Sequence, residues 1–151
     1  MTNITVHQAI RSDLDDVAEL FDKYRQFYGQ PSDIQAARRF LLARVNNGES
    51  IILLAKQGEQ IVGFAQLFPA FSSVSLARTF ILNDLYVSPA GRRQGVATRL
   101  LLAAEEFAKK VGAVRLTLST ATTNEPAQAL YKLAGWKRDE NFHVFHRVIP
   151  A

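Results

Sequence analysis

The stretch from Phe80 to Val111 constrains this chain more than any other. An apolar strand, Phe80–Val87, stops at Ser88-Pro89, and a helix begins a few residues later at Gly95 and runs to Val111. Ala97, Leu100, Leu101, Ala104, Phe107 and Ala108 recur on one side of that helix, and Gly112 stands where a left-handed C-cap residue belongs. Val114–Ser119 then reads as a strand. Strand, covering helix and strand in that order predict a right-handed parallel crossover onto one sheet.

The rest of the chain adds mostly antiparallel structure. Ile4–Ala9 alternates as a strand, and Leu14, Val17, Phe21 and Tyr24 recur at helical spacing behind a Ser12/Asp15 cap signal. A second helix is predicted from Ser32, with Gln35 completing a capping box, to about Asn46 before Gly48. Ile51–Lys56 and Ile61–Phe68, joined by Gln57-Gly58-Glu59-Gln60, read as a hairpin, and Pro69–Leu76 as a loop. Pro126–Ala134 reads as a helix closed by Gly135, and Phe142–Ile149 as a last strand, with a possible short strand near Trp136. No repeat, low-complexity tract or linker interrupts the sequence, so residues 1–151 are expected to form a single α/β domain on a mixed sheet.

Composition excludes several chemistries. The chain has 48% hydrophobic residues, enough for a core, and no cysteine, which removes disulfides, thiolate zinc sites and cysteine nucleophiles. Its three histidines are scattered over His7, His143 and His146, so no metal site is expected. A net charge of +4 without a long basic tract argues against nucleic acid as partner. Met1-Thr2-Asn3-Ile4 has no signal-peptide character, and no apolar run approaches the ~20 residues of a membrane helix. A soluble, cytoplasmic protein is the expectation.

The turn between strand and long helix carries the chemistry. A helix N-terminus presents unpaired N–H groups and a positive dipole end, so it holds anions. Gly95 lets a bulky phosphate approach the backbone, Ala97 keeps the next turn open, and Arg92 and Arg93 add charge and forked donors. These features describe a pyrophosphate cradle, yet the P-loop and dinucleotide-fold glycine spacings are both missing. Further on, Asn124, Gln128 and Tyr131 are spaced to project from roughly one helix face.

Arg92-x-x-Gly95-x-Ala97, set between strand and amphipathic helix, resembles the Gln/Arg-x-x-Gly-x-Gly/Ala signature of the GNAT family of N-acetyltransferases. Asn124 to Trp136 resembles the family's later motif of Asn, small residue, Tyr and Gly-aromatic, and Leu82–Val87 with Asn124–Trp136 looks most like its diamine and primary-amine acetyltransferases. The resemblance implies a mostly antiparallel central sheet, flanked by four helices, in which Phe80–Val87 and Val114–Ser119 form a parallel pair that splays open. It implies acetyl-CoA as the acyl donor, its pantetheine arm along the backbone of Leu85, Tyr86 and Val87. The pyrophosphate would lie on Arg92, Arg93, Gln94, Gly95, Val96, Ala97 and Thr98, with Asn124, Ala127, Gln128 and Tyr131 on the other flank.

Under that resemblance a neutral amine attacks the thioester directly. Tyr131 takes the position of the family's general acid, and an amide near Leu85 or Val87 polarises the carbonyl. Asp84 accepts a proton, anchors a cationic amine, or has only a structural place, pointing into solvent or holding a neighbouring loop; Tyr24, Phe27 and Tyr28 either line the acceptor pocket or belong to the core. The acceptor stays open among a small polyamine- or amino-acid-like amine, a protein or peptide amine and an antibiotic amine. A catalytically silent acyl-CoA sensor is the alternative. The tail Phe142–Ile149 either completes its own sheet or pairs with a second copy in a homodimer.

Overall fold

The computed structural model describes residues 3–151; Met1 and Thr2, at the head of the segment read above for signal-peptide character, lie outside the described residues. In chain order the elements are β1 (Ile4–Gln8), α1 (Leu14–Phe27), α2 (Ile34–Asn46), β2 (Ile51–Gln57), β3 (Gln60–Ser72), β4 (Ala77–Val87), α3 (Val96–Lys110), β5 (Leu116–Thr117) and α4 (Glu125–Leu133). The strands form one sheet in the order β1-β2-β3-β4-β5. All neighbours run antiparallel except β4 and β5, which are parallel. This is the mixed, mostly antiparallel sheet with flanking helices that the sequence predicts.

The first compact unit runs to Ser119 and holds the whole sheet with α1, α2 and α3. Its two faces follow from strand alternation. Phe64 joins Leu14, Val17, Phe21, Ala37, Leu41, Ile52 and Leu54 in the core beneath α1 and α2. The adjacent Gly63 faces the other way: a Cβ there would lie 3.0 Å from Val96 and 3.3 Å from Leu100, on α3. Helix α3 buries Val96, Leu100, Leu101, Ala104 and Ala108, close to the stripe read from the sequence, and Gly112 ends it at φ 79°.

Several boundaries differ from expectation. Ser12 does not cap α1; the chain enters through a 3-10 turn at Arg11–Asp13, where Asp13 accepts from the Ile10 N–H at 2.8 Å. Asp33, not Ser32, caps α2, its carboxylate accepting from the Ala36 N–H at 3.0 Å. Pro69 sits inside β3 rather than in a loop. β2 ends opposite Leu67, so β3 has an open side there, and a missing N–H is tolerated on such an edge. The hairpin tip then shrinks to Ser73–Leu76, with Leu76 at φ 49°.

Thr120–Ala151 forms the second unit, built on α4. Asn124 caps α4 by accepting from the Ala127 N–H at 3.2 Å, and the chain leaves through Gly135 at φ 91°. Phe142–Ile149 is not a strand, and no strand forms at Trp136. The tail's Phe142, Val144, Phe145, Val148 and Ile149 are exposed. Alternation supplies a face but not the ladder of hydrogen bonds a strand needs, and no strand among the described residues pairs with this segment. β5 is likewise shorter than Val114–Ser119, pairing only at Leu116 and Thr117.

Ser32 has another use. Its hydroxyl donates to Asp22 at 2.6 Å, alongside the Asp33 N–H at 2.8 Å and the Gln26 amide at 3.1 Å. Asp22 is 2% exposed and fastens the α1–α2 connection to α1. The Ser32 hydroxyl first, then the Asp33 amide and the Arg25 charge, hold its carboxyl below the ordinary range against the opposing effect of burial. Stability from such a group is complete above the unfolded pKa near 4 and drains away as pH falls through the lower folded value. Asp22→Ala should lower unfolding free energy at pH 7 by about 1.5–3 kcal/mol in urea titrations, with the deficit shrinking in acid. An unchanged midpoint at pH 7 would show that this connection needs no anchor.

Candidate functional site

β4 is where the sheet opens. Its parallel pairing to β5 covers only Phe80–Leu116 and Ile81–Thr117, so Leu82–Val87 has β3 on one side and no strand on the other. A bulge lies in this stretch: Gln66 pairs with Asp84 but Leu67 with Leu82, leaving Asn83 as the extra residue. Before it, the Phe80 N–H faces β5, donating to Arg115 O at 3.0 Å. After it, the Ser88 N–H faces β3, donating to Val62 O at 2.9 Å. Backbone groups alternate along a strand, so Leu85 and Val87 aim theirs at the open edge. An extended chain of amides and carbonyls has an edge to pair with there.

The turn that follows is held tightly. A Cβ on Gly91 would lie 2.7 Å from Val62 Cβ and 3.0 Å from its carbonyl oxygen, so the turn rests directly on β3. Arg92 donates from Nε to the Val87 carbonyl at 3.2 Å, and Gln94 donates to the Ala90 carbonyl at 3.1 Å. Arg93 takes φ 63° and Gly95 φ 74°. Left-handed backbone costs a non-glycine residue about 1–2 kcal/mol, so Arg93 is strained while Gly95 is not. No side chain caps the first turn of α3, whose amides at Val96, Ala97 and Thr98 therefore present donors to an anion. Nothing lies within 4 Å of where a Gly95 Cβ would stand. Donor amides, two exposed arginines and this clear approach fit a diphosphate.

Asp84 is buried, at 5% exposure, on the α1/α2 side of the sheet. It accepts from the Gln66 amide at 2.5 Å and the Asn83 amide at 3.1 Å, and from the Tyr24 hydroxyl. Ser50 in turn donates to Gln66 Oε1 at 2.7 Å. No cation pairs with Asp84 among the described residues. Burial pushes its carboxyl above the ordinary range, outweighing the three hydrogen bonds that favour the charged form.

Aromatic rings lead toward this carboxyl. Tyr24 packs against Phe64, Tyr86 and Tyr28, with centroids 5.7, 6.0 and 5.1 Å away, and Phe27 packs on Tyr28 at 5.3 Å. Tyr24 is half-buried, whereas Phe27 and Tyr28 are 67% and 62% exposed and so are not core. Gln66 and Ser50 escaped the sequence reading. The available signal was Gln66 itself, the one polar side chain in the apolar run Ile61–Phe68.

In the second unit, Tyr131 lies on α4 with its ring 6.3 Å from Trp136. Asn124 caps the helix, and Ala127 provides the amide that it accepts from. The Gln128 amide donates to the carbonyls of Ala121 and Thr122, a bracing role that its helical spacing did not announce. Among the described residues no cluster of His, Asp and Glu suits a metal ion, and no helix is long and apolar enough to cross a membrane.

Residues 14–136 match the model of the acetyltransferase (GNAT) family, and the chain belongs to that family. It is 45% identical over 148 residues to the uncharacterized N-acetyltransferase YhfO of Bacillus subtilis, covering 98% of this chain and 99% of the relative. A probable acetyltransferase of Haemophilus influenzae is 32% identical over 115 residues, 76% of this chain and 75% of that one. A crystal structure of a probable acetyltransferase matches at TM-score 0.92 and 43% identity, covering 97% of this chain and 99% of that chain. Acetyl transfer from acetyl-CoA to an amine is the activity this membership defines.

Gly95→Val places a branched side chain at φ 74° in the mouth of the turn. It should weaken CoA binding more than tenfold by calorimetry and cost about 1–2 kcal/mol of stability. Unaltered CoA affinity in a folded variant would remove this turn from cofactor binding.

Proposed function

We propose that the protein transfers the acetyl group of acetyl-CoA directly to the primary amine of a small cationic acceptor that docks at Asp84. The observation that carries this reading is a buried carboxyl held by neutral donors, with no cation paired to it among the described residues, directly after the bulge in the open-edged strand. A buried carboxylate lacking a counter-ion favours an incoming ammonium strongly, because each partner relieves the other's desolvation. Tyr24 packs on Tyr28, and exposed Tyr28 and Phe27 offer ring faces to the same cation on its way in.

Leu85–Val87 and the turn from Arg92 to Thr98 would hold acetyl-CoA, which when bound supplies an activated acyl thioester. Asp84 first orients the ammonium and then takes up its proton. A raised pKa narrows the gap to an ammonium near 10 without closing it, so orientation is the larger part of its contribution. An N–H of Leu85 or Val87 at the open edge would polarise the carbonyl, and the Tyr131 phenol would protonate the departing thiolate and recover its proton from the nitrogen as the amide forms. A polyamine- or amino-acid-like amine suits a compact carboxyl-and-aromatic site.

Free-thiol release from acetyl-CoA, measured against diamines, amino acids, aminoglycosides and peptide N-termini, tests the reading. Turnover with small diamines or amino acids supports it, and turnover only with peptides or aminoglycosides overturns the acceptor class. Asp84→Asn should lower kcat/KM by about 10²–10³-fold while leaving CoA affinity intact. It should not lower thermal stability at pH 7. Folding favours the protonated form of a carboxyl whose pKa is raised, so that contribution is complete in acid and is lost as pH climbs through the unfolded value to the folded one. Tyr131→Phe should reduce kcat about 10- to 100-fold with little change in CoA binding, and full retention of kcat would exclude it as the acid.

A further inference from the structure

We propose that Ser50 and Gln66 form an oriented hydrogen-bond relay that fixes which face of the Gln66 amide meets Asp84, and so act as positioning residues for the acceptor carboxylate. The inference rests on the reading of Asp84 given above. Its basis is the chain Ser50 Oγ to Gln66 Oε1 at 2.7 Å and Gln66 Nε2 to Asp84 Oδ2 at 2.5 Å. All three side chains are buried, Gln66 completely. They come from three places in the first unit: Ser50 just before β2, Gln66 in the middle of β3 and Asp84 just after the β4 bulge.

A glutamine amide has two ends of opposite polarity and nearly equal shape. Without a second partner, Gln66 could present its oxygen to Asp84 and repel the ionised carboxylate. Ser50 has one proton, and it is donated to Oε1, which leaves the NH2 group for Asp84. Leaving any member of a buried chain unpaired costs more than the bond is worth, so the orientation of one group sets the others. The relay thus keeps an N–H on Asp84 in the ionised form needed both to bind an ammonium and to accept its proton.

The other groups facing Asp84 are Tyr24 from α1 and Asn83 from β4 itself. Tyr24 is the titratable one, and among the described residues no charged side chain pairs with the carboxyl. A single anion with neutral donors is therefore especially sensitive to how each donor points. Gln66 pairs with Asp84 across the β3–β4 ladder, so its reach is fixed by register and not by a mobile side chain.

The test follows Asp84 in two ways, in the full-length chain as Ser50→Ala, Ser50→Thr, Gln66→Leu and wild type. Carbon-13 carboxyl NMR reads the titration of Asp84 directly, and the kcat/KM profile against pH, with the preferred amine, reads the ionisation that turnover requires. Ser50→Ala should move the Asp84 titration to higher pH and Gln66→Leu should move it further, while Ser50→Thr restores the wild-type value. The low-pH break in kcat/KM should move with it, and activity at neutral pH in Gln66→Leu should fall about tenfold, as expected for losing one hydrogen bond to a charged group. An Asp84 titration that stays put in Ser50→Ala and Gln66→Leu overturns the relay. A titration that moves while the kinetic break does not would instead overturn Asp84 as the acceptor carboxylate. The two failures are thus separable, and Ser50→Ala keeps the test open should Gln66→Leu not fold.

Discussion

The extra residue at Asn83 is the constraint on which the rest of the site depends. Before it, Phe80 faces α3, its ring 5.5 Å from Phe107. After it, Tyr86 faces α1, its ring 6.0 Å from Tyr24. Both positions are even-numbered, so an unbroken strand would put them on the same face. The bulge moves Asp84 from the side of α3 to the side of α1 and α2, and in the same stroke turns the backbone of Leu85 and Val87 outward. The edge itself is open because β5 stops after Thr117; the one inserted residue decides which amides face that edge and on which side of the sheet Asp84 lies.

The turn after β4 holds backbone strain at the mouth of an uncapped helix. Gly91 is wedged against Val62 with no room for a methyl group, and Gly63, next along β3, gives α3 its close approach. These two contacts fix the end of β4 and the start of α3 relative to β3. The chain between them then has little freedom, and Arg93 is left in a left-handed conformation that a glycine would adopt at no cost. An arginine there offers a charge at the mouth of an uncapped helix, which a glycine does not.

Much of this was legible in the sequence, because the legible parts are local. The α3 stripe, the Gly95 turn and the Gly112 C-cap each depend on residues within a few positions of one another, where periodicity and backbone chemistry speak directly. Asp84 was legible as a residue but not as an environment, since Gln66 is 18 positions away and meets it only through strand register. The bulge leaves no mark on a pattern of apolar residues. Phe142–Ile149 failed for the converse reason: its alternation is correct, but pairing depends on a partner and not on the segment. Ser32 failed because two neighbouring polar residues compete for a cap, and Asp33 took it while Ser32 turned to Asp22.

Asp22 and Asp84 show how one residue type is put to opposite ends. Both are buried in the first unit, and both accept several hydrogen bonds. Asp22 receives a backbone N–H and a short serine hydroxyl bond and sits in the field of Arg25, so its charge is welcome and its pKa falls. Among the described residues Asp84 receives only side-chain donors and no cation, so burial wins and its pKa rises. The first arrangement stabilises the fold in the ionised state. The second leaves an ionised carboxyl short of partners, which weakens the fold slightly and is tolerable where a cationic ligand supplies the missing charge. A protein selected only for stability would have put an apolar residue there or given it an arginine. That Asp84 has neither is what sets it apart from the better-satisfied Asp22 and supports the proposal that an amine docks beside it.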